Sequence, residues 1–73
     1  MDRQYIGKRL AGLRKARGLT QREVAEAIGV STSAYSQYEI GAKMPRDDTK
    51  IAIARFFGRS IRYIFFDENT HFQ

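Results

Sequence analysis

The chain contains no cysteine, so neither a disulfide framework nor a thiolate zinc site can staple so small a domain. Stability must come from packing, which fits a reducing compartment. The single histidine, His71, cannot form a metal cluster or a catalytic triad, and there is no glycine loop of the phosphate-cradling kind. Asp47 with Asp48 and Asp67 with Glu68 are adjacent carboxylate pairs, but the first suits a helix start and the second a polar tail. No apolar run approaches the roughly 18 residues of a membrane span, and the opening MDRQYIGKRL is charged where a signal peptide would be apolar. These absences argue against an enzyme and against a cofactor, a metal, a membrane partner or a small-molecule ligand. They leave a soluble cytoplasmic protein as the expectation.

What remains is a chain of 73 residues with 42% hydrophobic content, enough for one small domain that buries roughly 60% of its unfolded surface. Thirteen Lys and Arg against eight Asp and Glu give a net charge of +5. Arg3, Lys8, Arg9, Arg14, Lys15, Arg17 and Arg22 crowd the N-terminal end with only Asp2 opposed to them. That end is expected to carry much of the positive potential and to attract polyanions, although an ordinary basic protein has the same composition.

Helical periodicity dominates. Ile6, Leu10, Leu13 and Ala16 line one face of a helix over residues 3–17, closed by Gly18. Thr20 and Glu23 have the spacing of a capping box, and Val24, Ala25 and Ile28 form the apolar stripe of a second helix over 21–28. After Gly29 and Val30, Ser31 can cap a third helix, and so tight a connection makes two short helices cross steeply, as in a helix-turn-helix. PRDDTKIAIARFFG resumes the period with Ile51, Ile53, Ala54 and Phe57 as its expected apolar face. Ser60 then caps a fifth helix that contributes Ile61, Ile64 and Phe65. Residues 1–66 read as one all-α, five-helix domain. The polar, aperiodic DENTHFQ, residues 67–73, reads as a fraying tail.

The third helix carries the unusual feature. At about 100° per residue, Thr32, Ser33, Ser36 and Gln37 fall within a sector of roughly 140°, with Ser31, Ala34, Tyr35 and Tyr38 opposite and Glu39 at the edge. Short side chains let a helix backbone sit deep in a major groove, where glutamine can pair bidentately with adenine and hydroxyls can reach bases or phosphates. The plainer explanation is a solvated face of a mediocre helix, at a propensity cost of only about a few tenths of a kcal/mol per residue. The preceding capped helix, the tight turn and the basic chain favour the reading of DNA.

The run LRKARGLTQREVAEAIGVSTSAYSQYEIGAKMP resembles the lambda-repressor-like, Cro-type helix-turn-helix family, often called Xre. The matching skeleton is Arg14, Gly18, Leu19, Thr20, Gln21, Ala25, Gly29, Val30, Ser31, Glu39, Gly41 and Pro45, and the likeness extends over roughly residues 6–66. It implies a compact five-helix domain that binds a double-stranded DNA operator. By resemblance, Gln21 at the start of the second helix, Lys43 in the following loop and Arg46 would hold phosphates. Thr32, Ser33, Ser36 and Gln37 would face base edges, with Gln37 the foremost reader. Arg14 and Glu39 match a family ion pair joining the first helix to the end of the third; the competing role for Arg14 is a phosphate contact. Two departures stand out. Ile40 replaces an asparagine used near the DNA backbone, and Lys50 stands where many members bury a leucine.

A monomer this small buries little surface on DNA, whereas a two-fold dimer can place two recognition helices one helical turn apart. The aromatic crowding of Tyr63, Phe65 and Phe66 marks the fifth helix as the expected homodimer surface, the alternative being that these rings close the core. The rival function is an antitoxin or adaptor of the same fold whose main contact is protein.

Overall fold

The computed structural model describes residues 2–66, so the 67–73 tail expectation lies outside the described residues. Helix α1, Arg3–Ala16, begins where the Asp2 carboxylate accepts from the Gln4 backbone N–H at 3.0 Å, and it ends with Arg14 and Lys15 favourably placed against the helix dipole. In α2, Gln21–Ile28, the capping box is complete: Glu23 N–H donates to Thr20 Oγ1 at 3.0 Å and Thr20 N–H to Glu23 Oε1 at 2.8 Å. Helix α3, Thr32–Glu39, starts with Ala34 N–H donating to Ser31 Oγ at 3.0 Å. Helix α4, Asp47–Phe57, has Asp47 and Asp48 in its first turn. The last segment, α5, Arg62–Phe66, is π-helical rather than an ordinary α-helix, and Ser60 Oγ accepts from Tyr63 N–H at its entry. There is no strand among the described residues.

One core joins all five helices. Ile6 and Leu10 of α1, Val24, Ala25 and Ile28 of α2, and Tyr35 and Tyr38 of α3 meet Ile53, Ala54 and Phe57 of α4 and Ile64 and Phe65 of α5. Leu13 packs partly against this cluster, whereas Ala16, expected on the apolar face, is exposed. Tyr35 and Tyr38 touch edge to face, their ring centres 6.2 Å apart.

Helix α4 corrects an expectation. Ile51 is 41% exposed, because the buried stripe at i, i+3, i+4 and i+7 is Lys50, Ile53, Ala54 and Phe57, and Ile51 lies about 100° off it. Lys50 occupies the leucine-like position with only 18% of its side chain exposed. Its stem lies along the core while its ammonium sits 5.6 Å from the Phe65 ring centre and 5.5 Å from that of Phe66.

The tightest packing joins α1 to the end of α3. A Cβ on Gly7 would lie 2.2 Å from the Glu39 carbonyl oxygen and 2.8 Å from that of Tyr38, so only glycine lets the helices approach this closely. Helix α3 then stops at Gly41, whose φ of +79° is left-handed. Ala42 N–H donates to Gln37 O at 2.9 Å and Gly41 N–H to Tyr38 O at 3.2 Å, the paired bonds of a Schellman turn.

Candidate nucleic-acid interface

A second α1–α3 link lies beside that glycine contact. Arg14 Nε donates to Glu39 Oε2 at 2.7 Å and Arg14 Nη2 to Glu39 Oε1 at 3.0 Å, while Arg14 Nη1 donates to Leu19 O at 2.9 Å. The side chains are 13% and 5% exposed, so the guanidinium is a scaffold group and is not presented to a phosphate. Burial alone would raise the Glu39 carboxyl, but hydrogen bonds from Arg14 and Gln21 outweigh it and hold it below the usual carboxylate range. The bond to Glu39 in turn raises Arg14. Tyr35 lies alongside: burial, then the Glu39 carboxylate, pushes its phenol well above the usual value. Its buried hydroxyl meets hydrogen-bond geometry with no group among the described residues.

Gln21 belongs to the same network. Its Nε2 donates to Glu39 Oε1 at 2.9 Å, which leaves its second amide hydrogen and the helix-start backbone N–H groups for another acceptor. The fold thus ties the start of α2 to the end of α3 through one carboxylate, a partner for Gln21 that the sequence did not suggest.

The proposed reading face is unengaged. Thr32 and Ser33 are exposed and Ser36 and Gln37 half-buried, and none of these four side chains hydrogen-bonds another described residue. The face across from them is anchored by Tyr35 and Tyr38. Lys43 is exposed, and its backbone N–H donates to Gln37 O at 3.2 Å, which ties the loop carrying Lys43 to the last turn of α3. Arg46 is exposed at the start of α4 and makes no side-chain cap bond there.

Several N-terminal cations also have partners within the fold, and for Arg9 and Arg17 these are neutral groups that engage the side chain without cancelling its charge. Arg17 Nη1 donates to Phe56 O at 2.9 Å and Nη2 to Phe57 O at 2.7 Å, closing the C-terminal carbonyls of α4. Arg9 donates to the Tyr63 carbonyl and to Tyr5 Oη, its guanidinium 4.5 Å from the Tyr63 ring centre and 4.9 Å from that of Tyr5. Arg22 pairs with Glu26 at 3.2 Å on the surface.

The three dimer candidates separate. Phe65 is 1% exposed and, with Tyr35, among the largest fully buried side chains, so it closes the core and cannot form a dimer surface. Tyr63 is half-buried, with Arg9 on its ring and Arg59 4.9 Å from the ring centre. Phe66 alone is well exposed, at 61%. It borders a shallow apolar cleft of about 270 Å³ with Asp47, Lys50, Ile51 and Ile61.

Two short helices joined by a tight turn, with the second presenting a polar face, define a helix-turn-helix domain. The helix-turn-helix family model HTH_3 matches residues 10–64, and the chain belongs to that family. It is 42% identical over 57 residues to an uncharacterized helix-turn-helix transcriptional regulator, YobD, of Bacillus subtilis, covering 78% of this chain and 51% of that protein. It is 36% identical over 66 residues to the cryptic phage CTXphi transcriptional repressor RstR of Vibrio cholerae, covering 90% of this chain and 60% of the repressor. The crystal structure of the clp gene regulator ClgR from Corynebacterium glutamicum superposes with a TM-score of 0.80 at 30% identity, covering 88% of this chain and 68% of the other. The chain therefore spans about half to six tenths of the length of these two relatives by sequence. Among the described residues no helix is long and apolar enough to cross a membrane.

Proposed function

We propose that this domain binds a double-stranded DNA operator sequence-specifically, as a small transcriptional regulator of phage or mobile-element type, with α3 in the major groove. The observation that carries the reading is the contrast within α3. Four hydroxyl and amide side chains stand free on one face, while the opposite face is fixed by two buried tyrosines and Glu39. Polar groups with no internal partner, aimed outward from a rigid support, suit base-edge recognition. Lys43 and Arg46, with the free N–H groups around Gln21, suit phosphates on either side. Similarity to a phage repressor and to other regulators agrees. A chromosomal or phage target also puts the protein in the cytoplasm.

The domain acts as a homodimer in this reading, with Phe66 and Ile51 at the two-fold contact and Tyr63 at its margin. The support is the apolar cleft between α4 and α5 beside these two exposed side chains, which a second copy would cover.

The test is selection of a duplex from a random library, followed by binding titrations at several salt concentrations. Affinity should fall with salt at a log–log slope near minus one per phosphate contact. Gln37→Ala should relax base preference and Lys43→Ala should weaken all sequences alike. A protein that enriches no sequence, or a pair of variants that both bind as wild type, would overturn the reading.

A further inference from the structure

Three large apolar side chains are prominently exposed among the described residues: Ile40, Ile51 and Phe66. The last two border the α4–α5 cleft. Ile40 stands apart, 65% exposed, immediately after Glu39. Its N–H still donates to Ser36 O at 3.2 Å, and its φ of −90° and ψ of 1° carry the chain one residue along the helical path. At about 100° per residue its side chain projects roughly 80° around from Thr32, in the middle of the arc that runs from Thr32 to Gln37. One turn earlier on that line stand Ser36 and Gln37. Isolated exposed aliphatics are common on protein surfaces; this one continues the reading face.

We propose that Ile40 is a specificity-determining residue that contacts the 5-methyl group of a thymine, one helical turn beyond the base edges facing Ser36 and Gln37. The argument is chemical as well as geometric. A branched aliphatic side chain offers neither donor nor acceptor, so it can bond neither a phosphate nor a base heteroatom. The apolar group on base edges in the major groove is the thymine methyl. Ile40 therefore distinguishes thymine from cytosine at the outer end of a half-site by burial of that methyl. This assignment rests on the DNA-reading role of α3.

The experiment uses the duplex enriched by the wild-type protein, with each thymine replaced singly by deoxyuridine so that only a methyl group is lost. One outer position should weaken wild-type binding about fourfold, the ratio expected for one buried methyl-sized group. The Ile40→Ala protein should show no penalty at that position, Ile40→Val should keep most of it, and the salt slope should not change for either. Equal uracil sensitivity in wild type and Ile40→Ala overturns the assignment. So does an Ile40→Ala loss that is uniform over all sequences, which would mean contact with sugar alone. An unchanged melting temperature for Ile40→Ala establishes that the comparison is between folded proteins. Enrichment of no sequence removes the DNA-reading role itself and this assignment with it, whereas enrichment with an intact Gln37→Ala effect and no Ile40-dependent thymine removes only the assignment.

Discussion

A Cβ on Gly7 would stand 2.2 Å from the carbonyl oxygen of Glu39, so the first helix and the end of α3 touch backbone to backbone. Neither side can yield cheaply, because the obstructing atoms are main chain held in helices. Gly7→Ala should therefore destabilise the domain by about 3 kcal/mol, at the upper end of overpacking costs, despite alanine's better helix propensity. Gly12, in the same helix, has nothing within 4 Å of an added Cβ. Gly12→Ala should raise stability by up to about 1 kcal/mol. Thermal melts of the two variants, equal in chemistry and opposite in expected sign, check the contact.

Removing one partner of the Arg14–Glu39 pair leaves the other charge largely buried. Arg14→Met should cost about 3 kcal/mol, more than a surface ion pair could account for. Urea titration gives the value, and a loss below about 1 kcal/mol would contradict the burial.

The same carboxylate sets an acid limit. Glu39 titrates below the usual carboxylate range in the folded state, so its contribution is complete above its unfolded value and fades as pH falls through the depressed folded one. The stability gap between wild type and Glu39→Gln should be flat above about pH 5 and shrink steadily below about pH 4. A gap that widened on acidification would have the wrong sign.

Arg17 serves the C-terminus of α4 through two carbonyl bonds. Arg17→Ala should lower stability by about 1 kcal/mol, given that the residue is largely exposed. It should leave the salt dependence of DNA binding unchanged, whereas Lys43→Ala should reduce the slope by about one.

Phe65 and Phe66 are neighbours with opposite expected behaviour. Phe65→Ala should cost about 3–5 kcal/mol and leave much of so small a domain unfolded. Phe66→Asp should keep the monomer's melting temperature and shift the protein toward monomer in sedimentation velocity. A wild-type protein that sediments as a monomer at all concentrations would remove the dimer proposal.

The helix ends were legible because their signals are local: the Thr20–Glu23 box, the Ser31 cap and the glycines that follow α1, α2 and α4 all lie within a few residues of what they control. The pairing of Arg14 with Glu39 came from resemblance to a family, since nothing in the chain between these residues, 25 positions apart, fixes it. Tertiary commitments were illegible. Arg9 and Arg17 read as free surface charge because a sequence does not reveal that an aromatic ring or a helix C-terminus lies opposite. Lys50 concealed the true stripe of α4 by its charge, although the 50, 53, 54, 57 spacing was present. Nothing in the sequence marks Gly7 as lying against a second backbone, and of the two places open to Phe65, core or dimer surface, only the packing decides for the core.

The four free side chains on α3 separate two kinds of change. Because the side chains of Thr32, Ser33, Ser36 and Gln37 bond to no other part of the described chain, substitutions there change the polar face of the helix without removing a bond that holds it in place. In the proposed function, a lineage carrying this domain could drift from one operator to another through single replacements, each intermediate remaining folded and none requiring a compensating change in the core.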